Sequence, residues 1–243
     1  MKKIILLLAA TVSVSVSYAQ QVKAVKIKPE KKISIQVPEP SDVCLSPVTN
    51  TFFIVGDGGF LFETDTQGTI IRKANFSGLD CEGVFADDQF VYVAEEFSRK
   101  IRIFDLKTLE LVRTINVPYS GGRNKAYEAI TYNKAKGKFI LFTEKSPIYL
   151  FELDSDFKTV NEIELTGIAR DVSAATYYND FLWILSDEDM TVFKLDPNSY
   201  KVLAKWKLPV LNPEGLTFDK DGNMVVLSDD LQKIYYFQNP ERP

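Results

Sequence analysis

The chain has 243 residues and a formal net charge of −4 at pH 7, and 45% of its residues are hydrophobic and 12% aromatic. This composition indicates a globular protein with a buried core, and the acidic balance argues against a nucleic acid or an anionic membrane as the main partner. The chain contains no histidine, which excludes the usual general base, a Ser-His-Asp triad and most zinc and copper sites.

The first twenty residues, MKKIILLLAATVSVSVSYAQ, have the pattern of a secretory signal peptide. Lys2 and Lys3 precede an apolar run that begins at Ile4, and small residues lead to a cleavage site after Ala19. Serines interrupt the run, which is shorter than the roughly 20 apolar residues of a membrane span. We therefore expect residues 1–19 to be a signal peptide and the mature protein to be exported, either periplasmic or extracellular. It would be membrane-associated if this segment were retained.

Residues 20–31 are interpreted as an N-terminal linker. They lead to a strand candidate at residues 32–37, KISIQV, which is bounded by Pro38 and Pro40. We place the start of the folded domain at this strand, so that the domain covers residues 32–243.

The clearest copy of a repeated unit covers residues 212–229, NPEGLTFDKDGNMVVLSD. In this copy Glu214 leads into a short apolar strand, Asp221-Gly222-Asn223 supplies a tight hairpin turn, and a second apolar strand ends on Asp229. Antiparallel pairing places Glu214 and Asp229 at the same end of the hairpin.

Four further copies of this unit lie upstream. The anchor positions of the five copies are 41, 82, 128, 173 and 214, which are separated by 41, 46, 45 and 41 residues. A period of this size with several short strands in each unit is typical of a β-propeller.

Each complete unit continues with a third strand that ends in an acidic turn and with a fourth strand, but the last unit stops after its third strand at 233–237. The strand at 32–37 would take the missing place and remove a free sheet edge. We therefore predict an all-β protein, a single propeller of five four-stranded blades rather than six, with a ring closed by an N-terminal strand.

The anchor residues carry the candidate chemistry, because the first strand of each propeller blade lines the central channel. Glu82, Glu128 and Glu214 would face one another at one mouth, and Ser41 and Ser173 would complete the ring. The adjacent strands end on the same face in Asp57, Glu96, Glu144, Asp187 and Asp229.

Carboxylates so close to one another cannot all stay ionised without a counter-charge, and a hard cation with oxygen ligands is the simplest one. Calcium accepts 6–8 oxygens in irregular geometry, whereas magnesium is more demanding. The alternative is that these acids solvate the face, accept backbone hydrogen bonds or pair with Arg123, Lys125, Lys145 or Arg170.

Basic and polar residues precede two of the anchors. Arg123, Asn124, Lys125 and Arg170 lie on loops that enter first strands, and they could hold an anionic ligand such as a phosphate or a carboxylate against the metal. The alternative is that they neutralise the acidic ring directly. Three tyrosines are also placed near this mouth: Tyr119, Tyr127 and Tyr177.

The two cysteines, Cys44 and Cys81, lie in neighbouring units. In an oxidising compartment they could pair, or both could be small buried hydrophobic residues.

Four runs of this chain resemble the bacterial SdiA-regulated or YjiK-like propeller family: GLDCEGV (78–84), RNKAYEAITY (123–132), DVSAATYYNDFLWILSDED (171–189) and PEGLTFDKDGNMVVLSD (213–229). Together with SDVCLSPVTNTFFIVGDGG (41–59), they are distributed along the mature chain from residue 41 to residue 229. The resemblance implies an exported or envelope-associated propeller with a calcium site and no established reaction. Ala129 departs from the family pattern, in which glycine is usual.

Two classes of function remain. The first is an exported calcium-binding propeller that acts as an envelope ligand-binding or scaffold protein, with a small anionic ligand or an envelope protein as its partner. The second is a calcium-dependent hydrolase of a phosphoester or a lactone, in which a carboxylate such as Glu96 or Asp187 acts as the base. We favour the first class, because the absence of histidine weakens the second.

Overall fold

A computed structural model describes residues 22–121 and 126–242, and this part of the chain contains 21 β-strands and no helix. Accordingly, none of the described residues form a helix long and apolar enough to cross a membrane. The predicted signal peptide, residues 1–19, lies outside the described residues.

The strands form five sheets arranged as the blades of a propeller. The first two strands are β1 (Ala24–Lys26) and β2 (Lys31–Ser34). Blade 1 contains β3 (Pro40–Leu45), β4 (Phe52–Gly56), β5 (Phe60–Thr64) and β6 (Ile70–Lys73). Blade 2 contains β7 (Cys81–Ala86), β8 (Phe90–Glu95), β9 (Lys100–Asp105) and β10 (Leu111–Asn116).

The remaining blades follow in chain order. Blade 3 contains β11 (Tyr127–Asn133), β12 (Lys138–Thr143), β13 (Tyr149–Leu153) and β14 (Thr159–Glu164). Blade 4 contains β15 (Ala174–Tyr178), β16 (Phe181–Ser186), β17 (Thr191–Leu195) and β18 (Val202–Lys207). Blade 5 contains β19 (Pro213–Phe218), β20 (Met224–Ser228) and β21 (Lys233–Phe237), with β2 as its outer strand.

The ring is closed by the N-terminal part of the chain. Strand β2 pairs antiparallel with β21, and Ile33 lies opposite Ile234. Beyond β2, Ile35 and Val37 are buried in the core between blades 5 and 1. The predicted five blades and the predicted closing strand are therefore confirmed.

One strand was not predicted. Strand β1 lies in the segment that we interpreted as a linker, and it pairs parallel with β18, with Val25 opposite Trp206. This pairing makes the sheet of blade 4 five-stranded. The side chains of β1 are exposed, so no hydrophobic alternation marks this strand in the sequence.

The core consists of five hydrophobic clusters, one at each junction between neighbouring blades. Cys44 and Cys81 both lie in the cluster between blades 1 and 2, where they are buried free thiols. Burial raises the pKa of each thiol well above its usual value. In the structure the two cysteines are thus buried in the core as small hydrophobic residues and do not form a disulfide.

The inner strands approach one another closely around the channel axis. A Cβ atom added to Gly83 would lie 2.8 Å from the backbone nitrogen of Ile130, and one added to Gly215 would lie 2.9 Å from that of Val43. Such distances leave no room for a side chain. Ala129, the departure from the family pattern, lies directly against Gly83, so this contact contains one alanine and one glycine.

Candidate metal centre

Each anchor glutamate is placed by an irregularity in its strand. The pairing of β7 with β8 skips from Cys81 to Gly83, and the corresponding skips in blades 3 and 5 leave out Glu128 and Glu214. A β-bulge leaves one residue unpaired and re-aims its side chain. The bulges thus release the glutamates from the sheet at the start of the inner strands.

In blade 1 the pairing of β3 with β4 leaves out Ser41 in the same way, because it skips from Pro40 to Asp42. Ser173 comes one residue before β15, and its backbone nitrogen donates to the carbonyl oxygen of Leu185 at 3.0 Å. All five predicted anchors therefore lie at equivalent positions around the ring.

These residues line one cavity of about 310 Å³ at the end of the channel. We call this cavity the carboxylate mouth, and its lining consists of ten carboxylates and two serines: Ser41, Asp57, Asp80, Glu82, Glu96, Glu128, Glu144, Asp171, Ser173, Asp187, Glu214 and Asp229. The structure brings together every acid and both serines that were predicted for this site.

Two of the lining acids were not predicted. Asp80 and Asp171 lie two residues before the anchors Glu82 and Ser173. An acidic residue at this fixed distance before an anchor was the signal that could have identified them. The equivalent residue in blade 1 is Glu39, and both Glu39 and Asp80 have the positive φ of a left-handed turn.

Several lining groups already have hydrogen-bond partners within the protein. The hydroxyl of Ser41 donates to Asp57, and that of Ser173 donates to the carbonyl oxygen of Pro213 at 3.1 Å. A carboxylate oxygen of Glu96 accepts from the backbone nitrogen of Ala126 at 2.8 Å. The hydroxyl of Ser173 thus joins blades 4 and 5, and that of Ser41 bonds within blade 1.

Burial raises the pKa of the anchor glutamates, and the surrounding carboxylates raise it further. The pKa values of Glu82 and Glu128 lie well above the usual range, first because of desolvation and then because of acidic neighbours. The same causes raise the pKa of Glu214 to about 8. Without a counter-charge, the mouth therefore holds protons at neutral pH.

The pKa values of acids in the outer part of the carboxylate mouth are raised as well. Burial raises the pKa of Glu96 to about 7, although the hydrogen bond from Ala126 opposes this rise. Burial and the neighbouring Asp187 raise the pKa of Asp171 to about 8. The pKa of Asp229 is also raised, first by burial and then by Asp57.

Few basic side chains contact these acids. Among the described residues, Lys145 is the one base that forms an ion pair with a lining acid, Glu144, and it also contacts Glu188 at 3.0 Å. Arg170 is exposed on the outside of the mouth and its Nε lies 2.8 Å from Asp189, which does not line the cavity. Arg123, Asn124 and Lys125 lie outside the described residues.

The donor set suits a hard cation, because every lining side chain offers oxygen. In residues 22–121 and 126–242, however, no three Asp, Glu or Cys side chains are already close enough together to hold a metal ion. A cation would therefore have to draw the carboxylates inward by side-chain rotation.

The three tyrosines predicted near this mouth lie elsewhere, and that prediction was wrong. Tyr127 is fully buried and packs with Tyr119 in the core between blades 2 and 3. Tyr177 is near the end of its inner strand, at the opposite end of the channel. Side chains alternate along a strand, so a position next to an anchor points into the sheet interface.

Solved structures share the fold at low sequence identity. The glutaminyl cyclase of Myxococcus xanthus has a TM-score of 0.72 and 12% identity, over 88% of this chain and 97% of that chain. A hydrazine synthase of Kuenenia stuttgartiensis has a TM-score of 0.51 and 16% identity, over 80% of this chain and 56% of that chain. At these identities the similarity concerns the fold alone.

No curated protein matches the chain. The model of the SdiA-regulated family matches residues 16–238, which include every blade of the propeller. The chain therefore belongs to the SdiA-regulated family.

Proposed function

We propose that this protein is an exported calcium-binding propeller that acts as a ligand-binding or scaffold protein of the cell envelope. The observation that carries the proposal is the imbalance of charge in the carboxylate mouth. Ten carboxylates line it, and among the described residues Lys145 is the one base whose ammonium group forms an ion pair with a lining acid.

Calcium fits this donor set better than magnesium does. It takes 6–8 oxygens in flexible geometry, whereas magnesium requires a near-ideal octahedron with shorter bonds. The acids come from all five blades and differ in length, so they offer many oxygens in an irregular arrangement. Glu82, Glu128 and Glu214 would be the inner ligands, with the strand-end acids around them.

A small anion or an acidic group of an envelope protein is the proposed ligand. A calcium ion held from one side by the propeller would leave its open side to oxygens from outside. Lys145 and Arg170 lie near the rim and would add positive charge there. The loop with Arg123, Asn124 and Lys125 precedes Glu128 directly in the sequence.

Export is supported by the N-terminal pattern of two lysines, an apolar run and small residues before Ala19. We expect mass spectrometry of the protein from an outer compartment to give Gln20 as its first residue. Ala19→Trp should leave the precursor uncut, because signal cleavage requires a small residue at this position. Recovery of the parent chain from the cytoplasm with residues 1–19 intact would contradict the proposal.

The calcium site is tested by thermal unfolding with calcium, with magnesium and after chelation. A cation that binds only the folded state stabilises it by about 2.7 kcal/mol at a concentration of 100 Kd. For a domain of this size that corresponds to a rise in Tm of roughly 5–10 °C. We expect calcium to give this rise, and Glu82→Gln, Glu128→Gln and Glu214→Gln each to reduce it below about 2 °C.

The same variants should melt above the parent after chelation, because each removes one of several repelling carboxylates. Glu162→Gln is the matched control: Glu162 is exposed on the outer strand β14, so this variant should respond to calcium as the parent does. A parent that melts identically with calcium and with chelator would show that the mouth is not a calcium site.

The raised pKa values predict how stability depends on pH without metal. Glu214, Glu96 and Asp171 have folded pKa values of about 7–8, above their values in an unfolded chain. Between pH 5 and 8 the folded state therefore binds more protons than the unfolded state, and its stability falls as the pH rises.

We expect the Tm of the chelated protein to fall by about 5 °C or more between pH 5.5 and 8.5, and saturating calcium to remove most of this fall. The parent and the Glu214→Gln variant should be compared at each pH, because the variant lacks one of the titrating groups. A Tm that is constant or rises over this range in chelator would contradict the charge balance described above.

A calcium-dependent hydrolase is a second candidate, and Glu96 is the residue that favours it. Its carboxylate is buried, anchored by the backbone nitrogen of Ala126, and has a pKa of about 7. A general base is most effective when its pKa lies near the working pH. Glu96 could thus accept a proton from water while calcium polarises a phosphoester or a lactone.

For this candidate we expect calcium-dependent hydrolysis of a nitrophenyl phosphodiester or of δ-valerolactone, reduced by about 100-fold in Glu96→Gln. Calcium stabilisation should persist in this variant if Glu96 acts as a base rather than as a ligand. Glu162→Gln is again the control. If both substrates stay intact, or if Glu96→Gln hydrolyses at the parent rate, the hydrolase assignment fails for these substrate classes.

A further inference from the structure

The channel has a second cavity at the end opposite the carboxylate mouth. It has a volume of about 650 Å³ and is lined by the last residues of all five inner strands. We call it the aromatic cup and define it by its main apolar residues: Leu45, Phe85, Tyr132, Tyr177, Tyr178 and Phe218. Small-molecule sites have volumes of about 300–1,000 Å³, so the cup is large enough for one.

The rings in the cup form two stacked pairs, each built from neighbouring blades. Phe85 of blade 2 and Tyr132 of blade 3 lie 6.4 Å apart with an interplanar angle of 22°. Tyr178 of blade 4 and Phe218 of blade 5 lie 3.9 Å apart with an angle of 9°. The cup therefore contains two pairs of nearly parallel aromatic side chains, one from blades 2 and 3 and one from blades 4 and 5.

These rings are not fully covered by the protein. Phe85, Tyr132, Tyr177 and Tyr178 are half-buried, although they line a concave surface. Phe85, Tyr132 and Tyr178 pack against the core on one side, and partly exposed apolar side chains around a cavity of this size are typical of small-molecule binding sites.

The surroundings of the cup are polar. Lys134 and Asp88 are exposed at its rim, and Thr176 is half-buried in its wall. Thr217 is buried, and its hydroxyl accepts a hydrogen bond from the backbone nitrogen of Leu45 at 3.2 Å. The Thr176 hydroxyl has no partner among the described residues, so it can bind a polar substituent of a ligand.

We propose that the aromatic cup is a binding site for a small planar aromatic molecule with a polar substituent. A planar ring can pack against the partly exposed side chains of Phe85, Tyr132 or Tyr178 in the offset or edge-to-face geometries that aromatic pairs prefer. Its polar group would reach the Thr176 hydroxyl. The site does not depend on the proposed cation, because the cup and the carboxylate mouth share no residue.

The protein has a built-in reporter for this site. Its two tryptophans are Trp183 and Trp206, which stack at 5.1 Å, and Trp183 lies 5.0 Å from Phe218. An aromatic probe that absorbs in the range of tryptophan emission and binds in the cup should quench this fluorescence by energy transfer.

The test uses 2-naphthol and its saturated counterpart, decahydro-2-naphthol, which has the same carbon skeleton but is not planar. We expect calorimetry to show saturable binding of 2-naphthol and at least about tenfold weaker binding of the saturated compound. Phe85→Leu and Tyr178→Leu should each weaken 2-naphthol binding by about tenfold. Phe60→Leu, which alters a half-buried phenylalanine on β5 outside the cup, should bind as the parent does.

A soaked crystal of the parent gives a readout that depends on no variant. Density for 2-naphthol in the aromatic cup supports the proposal, and density elsewhere overturns it. Absence of binding, equal affinity for the two compounds, or equal weakening by Phe60→Leu also overturns it. Binding and quenching should persist after chelation, so that this site is tested separately from the calcium site.

Discussion

The close approach of five inner strands around one axis is the constraint on which the rest of this structure depends. Gly83 and Gly215 leave no space for a side chain against the neighbouring strands. At the same level Asp42 is buried, and its carboxylate accepts hydrogen bonds from the backbone nitrogens of Val43 and Val84 at 2.8 and 2.9 Å. Small residues and backbone contacts thus hold neighbouring inner strands close together, and the cavities at the two ends of the channel share no residue.

The two ends differ because the chemistry of each strand changes along its length. Where the inner strands begin, bulges release Glu82, Glu128 and Glu214 into a space that they share with seven other acids. Desolvation and mutual repulsion make this arrangement costly for the ionised forms. Where the strands end, rings such as Phe85 and Tyr178 replace the acids. One end of the channel is therefore lined mainly by carboxylates, and the other mainly by apolar and aromatic side chains.

The sequence predicted those features that repeat. Five anchors at a regular spacing and a hairpin turn in each unit were sufficient for the blade count, the closing strand and eight of the ten acids of the carboxylate mouth. Features that depend on contacts between residues far apart in the sequence could not be predicted from the repeat. Strand β1 is defined by its pairing with β18, and its exposed side chains carry no pattern. Tyr127 lies one residue before its anchor, where the alternation of side chains turns it into the core, and Tyr177 lies four residues after its anchor, near the opposite end of its strand.

Closure of the ring by both ends of the chain also makes folding depend on contacts between residues that are far apart in the sequence. The pairing of Lys31 with Tyr236 joins residues that are 205 positions apart, and closing so long a loop costs chain entropy before any contact compensates for it. Blades 1 to 3 consist of strands that are consecutive in the chain, whereas the sheets of blades 4 and 5 each include a strand from its N-terminal part. Pairings between such distant parts of the chain form slowly, because the entropy of loop closure is lost before the contacts are made.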